Sequence, residues 1–560
     1  MNFKNFLIYR QISGGLRLNL ALLFLVPVLL VFSTQEGFGQ GFQMTQIVVP
    51  GNTSGTFPFG LNTSEEVVGS YIDSAGATVG FLYANGKYTI LTAPSSDNYT
   101  RANGINDSGT VVGDYYTSNN RYHGFFYSKG KYTTYNENSK ESSSIFGINN
   151  AGDFVGAVGE IGEPQRGFIN IGGAKTEFYG SGSDSTFAYA INSAGEVVGQ
   201  YIDSSGNSHG FLRSAAGKIS QIAYPGANQT WAYGINDAGV ITGAYYNSSN
   251  LPYGFTYIKG KYTSTDFATT TGINNKGDYV GQYYGVPDGA VAGYLASPQA
   301  FKLSTVNISG NQQAQLWGVN DSGVSVGNYV DSTGAEHGMM ISGGKVTNID
   351  DNNGVSTVCF AINAGGDIAG YYVDSNNNPH GFKYSAGKFT DIPGPAGSPA
   401  SLANGINDSG EIAGSYIDTA GAIHGFVLQG TKYTALNVSG AQGTLGRGIN
   451  NSGLVTVQSF DSKGYFQSWL YNGKTFTAIN VPGVAVNQVQ GINKDGDIVY
   501  FVSDPYGVGH AALKQGNNYF IFDDPKGSNA GAGGINDSSL IVGSYIPTGK
   551  SVPEPFQGTE

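Results

Sequence analysis

The chain has 560 residues and a formal charge of −12, with 86 glycines, 13% aromatic residues and only 12% charged ones. Glycine at about twice its usual share would suit a low-complexity chain, but disordered segments are poor in aromatics and no Gly-X-Y period marks a collagen. The negative balance and the scatter of the 28 basic residues exclude the phosphate-neutralising surface that nucleic acid requires.

The first element in chain order is an export signal over residues 1–39. Lys4, Arg10 and Arg17 precede an apolar run from Leu18 to Phe32, and Gly37-Phe38-Gly39 offers small residues at a cleavage site before Gln40. The run of 15 residues, interrupted by Pro27, falls short of the roughly 20 that a membrane span needs. A secreted, cell-surface or periplasmic protein follows, touching a membrane only if this segment is retained. Cys359 is the single cysteine, so no internal disulfide forms. Sister segments carry Ala188 and Ala232 in its place, which marks it as a small core residue.

From there on the sequence repeats. Gly-Ile-Asn or a close variant recurs with its Asn at 62, 106, 149, 192, 236, 274, 320, 363, 407, 450, 493 and 536. The interval is 43 or 44 residues except for 38 and 46 on either side of Asn274. Within one period, runs rich in Val, Ile, Tyr, Phe and Thr alternate with Gly, Asn, Asp and Ser clusters, the pattern of short strands and turns. Residues 231–267 predict strand a from Trp231 to Ile235, b from Val240 to Tyr246, c from Tyr253 to Ile258 and d from Lys261 to Phe267. In ten of the twelve copies a Gly stands three residues after the Asn, where a hairpin loop needs a left-handed residue. Asn-Gly or Gly-Lys then marks the c–d turn, as in Asn472-Gly473-Lys474.

Four strands in about 43 residues is the size of one β-propeller blade. The expected fold is therefore all-β, with about twelve four-stranded blades in tandem propellers, two rings of six. The segment Phe42 to Gly51 matches strand d of other copies, so each ring would close with strands from both its ends. The missing Gly-Lys turn near Ala296-Ser297-Pro298 places the division there. The expected units are residues 40–298, able to fold alone, residues 299–546, and a C-terminal tail over 547–560. The last copy shows no obvious strand c.

Two columns carry chemistry. All six histidines stand at the start of strand c, and five follow an Asp by six residues across the b–c turn: Asp203 and His209, Asp331 and His337, Asp374 and His380, Asp418 and His424, Asp504 and His510. These ten are the candidate ligand-face residues. A metal or acid/base site in each blade is one reading; an Asp–His hydrogen bond that fixes the turn is the other. One pair supplies only two ligands, and other copies carry Val79, Arg166, Tyr253 or Gln467 instead of His, which favours the turn-fixing role. A Tyr column on strand b (Tyr71, Tyr115, Tyr201, Tyr245, Tyr283, Tyr329, Tyr372, Tyr416 and Tyr545) is expected to pack between blades with its hydroxyl on a polar partner. No nucleotide loop, paired-Cys motif or Ser/His/Asp set stands out, so no catalytic residue, metal or cofactor is assigned.

At these columns the chain resembles the HAF-repeat, or probable extracellular repeat, family of bacterial exported proteins. The residues that carry the resemblance are the Gly-Ile-Asn anchors, Val-Val-Gly on strand b (Val111-Val112-Gly113) and His-Gly-Phe on strand c (His209-Gly210-Phe211) over roughly residues 42–546. It implies an exported bacterial repeat protein and transfers no activity. The tail Val552-Pro553-Glu554-Pro555 resembles the start of a bacterial C-terminal sorting signal. The functional expectation is a non-catalytic binding or surface scaffold for a polysaccharide or cell-envelope polymer. A propeller lyase or glycan-processing hydrolase, or a structural matrix protein, are the alternatives. The enzyme reading requires residues that break the repeat around one pocket.

Overall fold

A computed structural model describes residues 41–559 except 53, 136–139, 161, 181, 266–268, 285–290, 300, 307, 309–312, 396–397, 505–506 and 524–526. The export segment 1–39 lies outside the described residues. Among those described, the chain forms 48 strands and no helix. The copy used above for the prediction has strands at Gln229–Ile235, Ile241–Tyr246, Pro252–Ile258 and Lys261–Ser264, each antiparallel to the next. In eight of the twelve blades a Phe of strand c is the core residue: Phe81, Phe125, Phe168, Phe211, Phe255, Phe382, Phe426 and Phe556 are all fully buried, and Tyr294, Met339, Trp469 and Ala512 take the place in the other four.

The sheets close into two circles of six blades. In the first, strand Gly41–Ile47 pairs with Val291–Gln299 and completes the sixth blade as its strand d. In the second, Lys302–Thr305 pairs with Glu554–Thr559 and completes the twelfth. This corrects the reading of residues 547–560 as a free tail. Glu554–Thr559 is the strand c that the last copy seemed to lack, paired with Ile541–Pro547 on its other edge and carrying Phe556 into the core column. The resemblance of Val552-Pro553-Glu554-Pro555 to a sorting signal lies partly inside that strand.

The repeated Asn fastens each circle. Its Oδ1 accepts amides of its own a–b turn, as Asn320 does from Ser322 and Val324. Its Nδ2 donates to the carbonyl of the same Asn in the next blade. Six bonds of 3.0–3.3 Å run from Asn62 through Asn106, Asn149, Asn192, Asn236 and Asn274 back to Asn62. Six more of 3.0–3.4 Å run from Asn320 through Asn363, Asn407, Asn450, Asn493 and Asn536 back to Asn320. Only a short amide can accept within its own turn and donate across to the next blade, which is why Asn and not Asp or Gln repeats.

The glycine of strand b has an equally local cause. Strand a carries a bulge opposite it, so a Cβ at Gly243 or Gly327 would stand 1.9 Å from the carbonyl oxygen of Trp231 or Gln315. The two copies with Val457 and Tyr500 at this position have a longer irregularity in strand a, between Gly446 and Ile449 and between Val489 and Ile492.

The rings also share structure. Strand Gly41–Ile47 pairs on its free edge with Asn518–Phe522 of the second ring, joining two blades into one eight-stranded sheet. Phe42, Met44, Tyr279, Tyr283 and Tyr294 of the first ring form one buried cluster with Ile479, Val481, Val489 and Tyr500 of the second. The expectation that residues 40–298 stand alone is amended by this common core.

Candidate functional site

Each Asp–His pair is built into its own hairpin. Asp Oδ1 accepts the amides two and four residues on, as in Asp203 with Ser205 and Asn207, or Asp418 with Ala420 and Ala422. Oδ2 meets the imidazole Nε2, at 2.8 Å for Asp203 and His209, 3.4 Å for Asp331 and His337, 3.1 Å for Asp374 and His380 and 3.0 Å for Asp418 and His424. The imidazole stacks on the strand b Tyr at 5.0–5.1 Å in these four blades. Its Nδ1 reaches strand d or the two residues after it: Gln221 at 3.0 Å from His209, Asp350 at 2.9 Å from His337 and Asn437 at 3.3 Å from His424. The fifth pair departs from this pattern. His510 is buried with Nδ1 2.8 Å from Asp523, while Asp504 accepts the Val508 amide.

The electrostatics match this wiring. Hydrogen bonds from His209 and the Asn207 amide hold the Asp203 carboxyl down at about 2. Asp331, Asp374 and Asp418 are lowered in the same way, led by the Thr333 hydroxyl, the Asn378 amide and His424 respectively. His337 is raised, first by its bond to Asp350. The pairs thus tie turn, strand c and strand d within one blade, and the structure does not bring pairs of different blades together. No cluster of three or more His, Cys, Asp or Glu suited to a metal occurs among the described residues. The Tyr column is mostly buried, with hydroxyls on polar partners such as Thr134 for Tyr115 and Asn348 for Tyr329. Cys359 is fully buried, and burial pushes its thiol up, which makes it inert.

The repeat is broken at another column, which the sequence analysis passed over. The residue just before Gly-Ile-Asn on strand a faces the axis of the ring. In the first ring it is Phe59, Asn103, Phe146, Tyr189, Tyr233 and Thr271. The aromatic rings pack on one another there, Tyr189 lying 5.5 Å from Phe146 and 5.3 Å from Tyr233. Asn103 and Arg101 turn to the fully buried Asp114, and the Arg101–Asp114 contact is 3.2 Å.

In the second ring the same six positions are Trp317, Phe360, Asn404, Arg447, Gln490 and Gly533, and they line a cavity of about 90 Å³. A collar of Val319, Ile362, Ile406, Ile449, Ile492 and Ile535 separates it from the Asn circle at the a–b mouth. One wall is aromatic. Trp317 and Phe360 meet edge to face at 5.8 Å, Phe360 contacts Tyr371 at 5.4 Å, and Trp317 Nε1 donates to Asn328 at 2.7 Å. Asn328 in turn donates to Glu336, whose carboxyl is raised by burial. The facing wall is polar. Asn404, only 8% exposed, donates through Nδ2 to the Gly446 carbonyl at 2.7 Å, while its Oδ1 accepts no hydrogen bond among the described residues. Beside it, burial pushes the Arg447 guanidinium down to about 10. At Gly533 a Cβ would stand 2.5 Å from the Leu316 carbonyl oxygen, so no side chain could enter the cavity from there.

No family model matches the chain, and no curated protein matches it. Solved structures to which the chain is similar include a gluconolactonase from Xanthomonas campestris, at 11% identity and a TM-score of 0.32, covering 46% of this chain and 90% of that one. The SapL1 lectin in complex with alpha methyl fucoside is similar at 10% identity and 0.31, covering 44% and 92%. The propeller domain of the Trilobed protease from Pyrococcus furiosus is similar at 8% and 0.21, covering 60% and 97%. The sheet topology and the two closed Asn circles establish it as an all-β chain of tandem six-bladed propellers.

Proposed function

We propose that this chain is an exported, non-catalytic binding protein of the HAF-repeat kind, which holds a carbohydrate or another cell-envelope polymer in the axial cavity of its second ring. The observation that carries the reading is the column before Gly-Ile-Asn. The same scaffold position that packs aromatics together in the first ring sets Trp317 and Phe360 opposite Asn404, Arg447 and Gln490 in the second. Aromatic faces against a few fixed polar groups suit the two sides of a sugar ring. Export agrees with the closure of the first ring, since removal of residues 1–39 leaves strand Gly41–Ile47 whole.

A screen of the mature chain, residues 40–560, against immobilised glycans and envelope polymers tests this. Binding that Trp317→Ala abolishes while Tyr189→Ala leaves it intact supports the cavity; a clean negative across the panel overturns it. The half-buried Glu336 behind Trp317 gives a hydrolase or lyase reading one observation of its own. Turnover in the same panel, lost on Glu336→Gln, would replace binding with catalysis.

A further inference from the structure

The aromatic wall of the second-ring cavity is wired to the b–c turn of its blade. Trp317 Nε1 donates to Asn328 Oδ1 at 2.7 Å, and Asn328 Nδ2 donates to Glu336 Oε1 at 2.8 Å. The three residues come from strands Gln313–Val319, Ser325–Val330 and Glu336–Ser342, so the bonds cross the sheet from the axis to strand c. Glu336 opens strand c, next to His337.

The first ring has the same wire with a different end. Tyr189 donates to Gln200 Oε1 at 2.9 Å, and Gln200 Nε2 donates to Ser208 Oγ at 2.8 Å. Tyr189, Gln200 and Ser208 hold in their blade the positions of Trp317, Asn328 and Glu336. A serine hydroxyl does not titrate between acid and neutral pH; a carboxyl does. Glu336 is the only carboxylic acid among the twelve residues that precede the His column.

The end of the wire decides how firmly its start is held. An indole N–H only donates, so Asn328 must turn Oδ1 to Trp317 and Nδ2 to Glu336. A charged carboxylate only accepts, and it holds the amide that way with a charge-assisted bond, roughly twice as strong as a neutral one. A protonated carboxyl also donates, so the amide can reverse. Its Nδ2 then faces the indole N–H, donor against donor, and Trp317 loses its acceptor.

Burial raises the Glu336 carboxyl above its ordinary 4.5, while the bonds from Asn328 and Ser356 and the charge of His337 act against that rise. Asp331 and Asp350 bear on it through the imidazole that both contact, and burial keeps Tyr371 of the next blade neutral.

We propose that Glu336 is a positioning residue: as a carboxylate it locks Trp317 in the cavity wall through Asn328, and on protonation it lets the indole go. Ligand affinity in the cavity then falls on acidification, a consequence that rests on the binding function proposed above; the wire itself does not.

The first test needs no ligand. The mature chain is labelled with isotope-enriched tryptophan, and its three indole N–H resonances are followed from neutral pH down to about the ordinary range of a glutamate. The resonance missing from Trp317→Phe belongs to Trp317. It should move with a midpoint above 4.5, which the signals of Trp231 and Trp469 do not share. Glu336→Gln can still accept from Asn328 but cannot titrate, and should abolish the movement. His337→Gln removes the positive charge beside Glu336, so the midpoint should rise while the transition stays. Melting curves confirm that the variants are folded.

A Trp317 resonance that stays still over this range in the wild-type chain overturns the proposal without recourse to any variant. So does a movement that survives Glu336→Gln, or one that vanishes in His337→Gln and therefore belongs to the imidazole. The panel of glycans and envelope polymers, repeated at both ends of the range, supplies the functional arm. Wild-type affinity should drop about fivefold at the acid end, the worth of one net hydrogen bond, and that of Glu336→Gln should stay level. Equal wild-type binding at both ends overturns control of the site by Glu336. Binding of nothing at either end overturns the binding function instead, and the indole titration then decides the wire on its own.

Discussion

At the Asn circle the first and second rings are interchangeable: six carboxamides, the same bonds around the axis, and a collar of five Ile completed by Leu61 in one ring and Val319 in the other. At the residue just before Gly-Ile-Asn they part. The first ring sets four aromatic rings into its axis; the second sets two against an arginine and two amides around a cavity. The lesson is that a repeat separates scaffold from site by column. The anchor Asn, which answers to turn geometry, is held alike in both rings, and the strand b glycine departs only where strand a is itself more irregular, at Val457 and Tyr500. Positions that only look down the axis are free to differ, and that freedom is where a ligand can be accommodated.

The largest test strikes the shared scaffold. Gly243→Val in the first ring and Gly327→Val in the second each drive a side chain into a carbonyl that would lie 1.9 Å from its Cβ. Both should cost about 4 kcal/mol or more, the range of severe core defects. Denaturant melts should show equal losses in the two rings; a benign result in either would mean that its strand a bulge can open.

Next in size is a change confined to the first ring. Asp114→Asn leaves the Arg101 guanidinium without its carboxylate and should destabilise by about 3 kcal/mol, less to the extent that the guanidinium stays partly exposed. Ligand binding by the second ring should be unchanged. If binding falls with it, the two rings are coupled through the shared sheet.

A smaller effect separates turn-fixing from ligand binding at the Asp–His pairs. The Asp203 carboxyl sits at about 2, below its ordinary 3.8, so its contribution is present above about pH 4 and is lost as pH falls toward 2. His337 is shifted the other way, so its contribution is present below about pH 6.5 and is lost as pH rises through its folded value. Melting temperatures of Asp203→Asn and His337→Gln should lose those two pH dependences, in the first and second ring respectively, with no change in ligand affinity. Lost affinity would return the pairs to the binding face.

The smallest effect is a gain. Glu65 and Ser539 are the two copies without Gly after the anchor Asn, yet they adopt the same left-handed turn at φ 60° and 61°. Glu65→Gly and Ser539→Gly, one in each ring, should each stabilise by about 1 kcal/mol. No gain would show that these side chains make a compensating contact.

Much of this architecture was legible before any coordinates, because turn chemistry and strand alternation repeat twelve times. The irregular intervals flanking Asn274 also marked the change of ring, where the sixth blade borrows strand Gly41–Ile47 and the seventh begins after Lys302–Thr305. Strand Glu554–Thr559 was hidden because Glu554-Pro555-Phe556 stands where other copies have His-Gly-Phe and keeps only the core Phe. The cavity was hidden for a different reason. Trp317, Asn404 and Arg447 are far apart in sequence, and a column acquires chemistry only when six strands converge on one axis. The shared core of the rings was equally out of view, since Asn518–Phe522 reads as an ordinary outer strand until Gly41–Ile47 pairs with it.

The two closures impose an order on folding. A chain emerging from its N-terminus can complete the first circle once residue 299 is out, because both strands of that closure are then available. The second circle must wait for Glu554–Thr559, some two hundred and fifty residues beyond the strand it pairs with. Until then, Lys302–Thr305 is unpaired and the twelfth blade has only the hairpin of Gly527–Ile535 and Ile541–Pro547. Closure of the second ring is therefore completed late, and a molecule interrupted before residue 554 would carry every residue that lines the axial cavity while its twelfth blade still lacked strand Glu554–Thr559 and the partner of Lys302–Thr305.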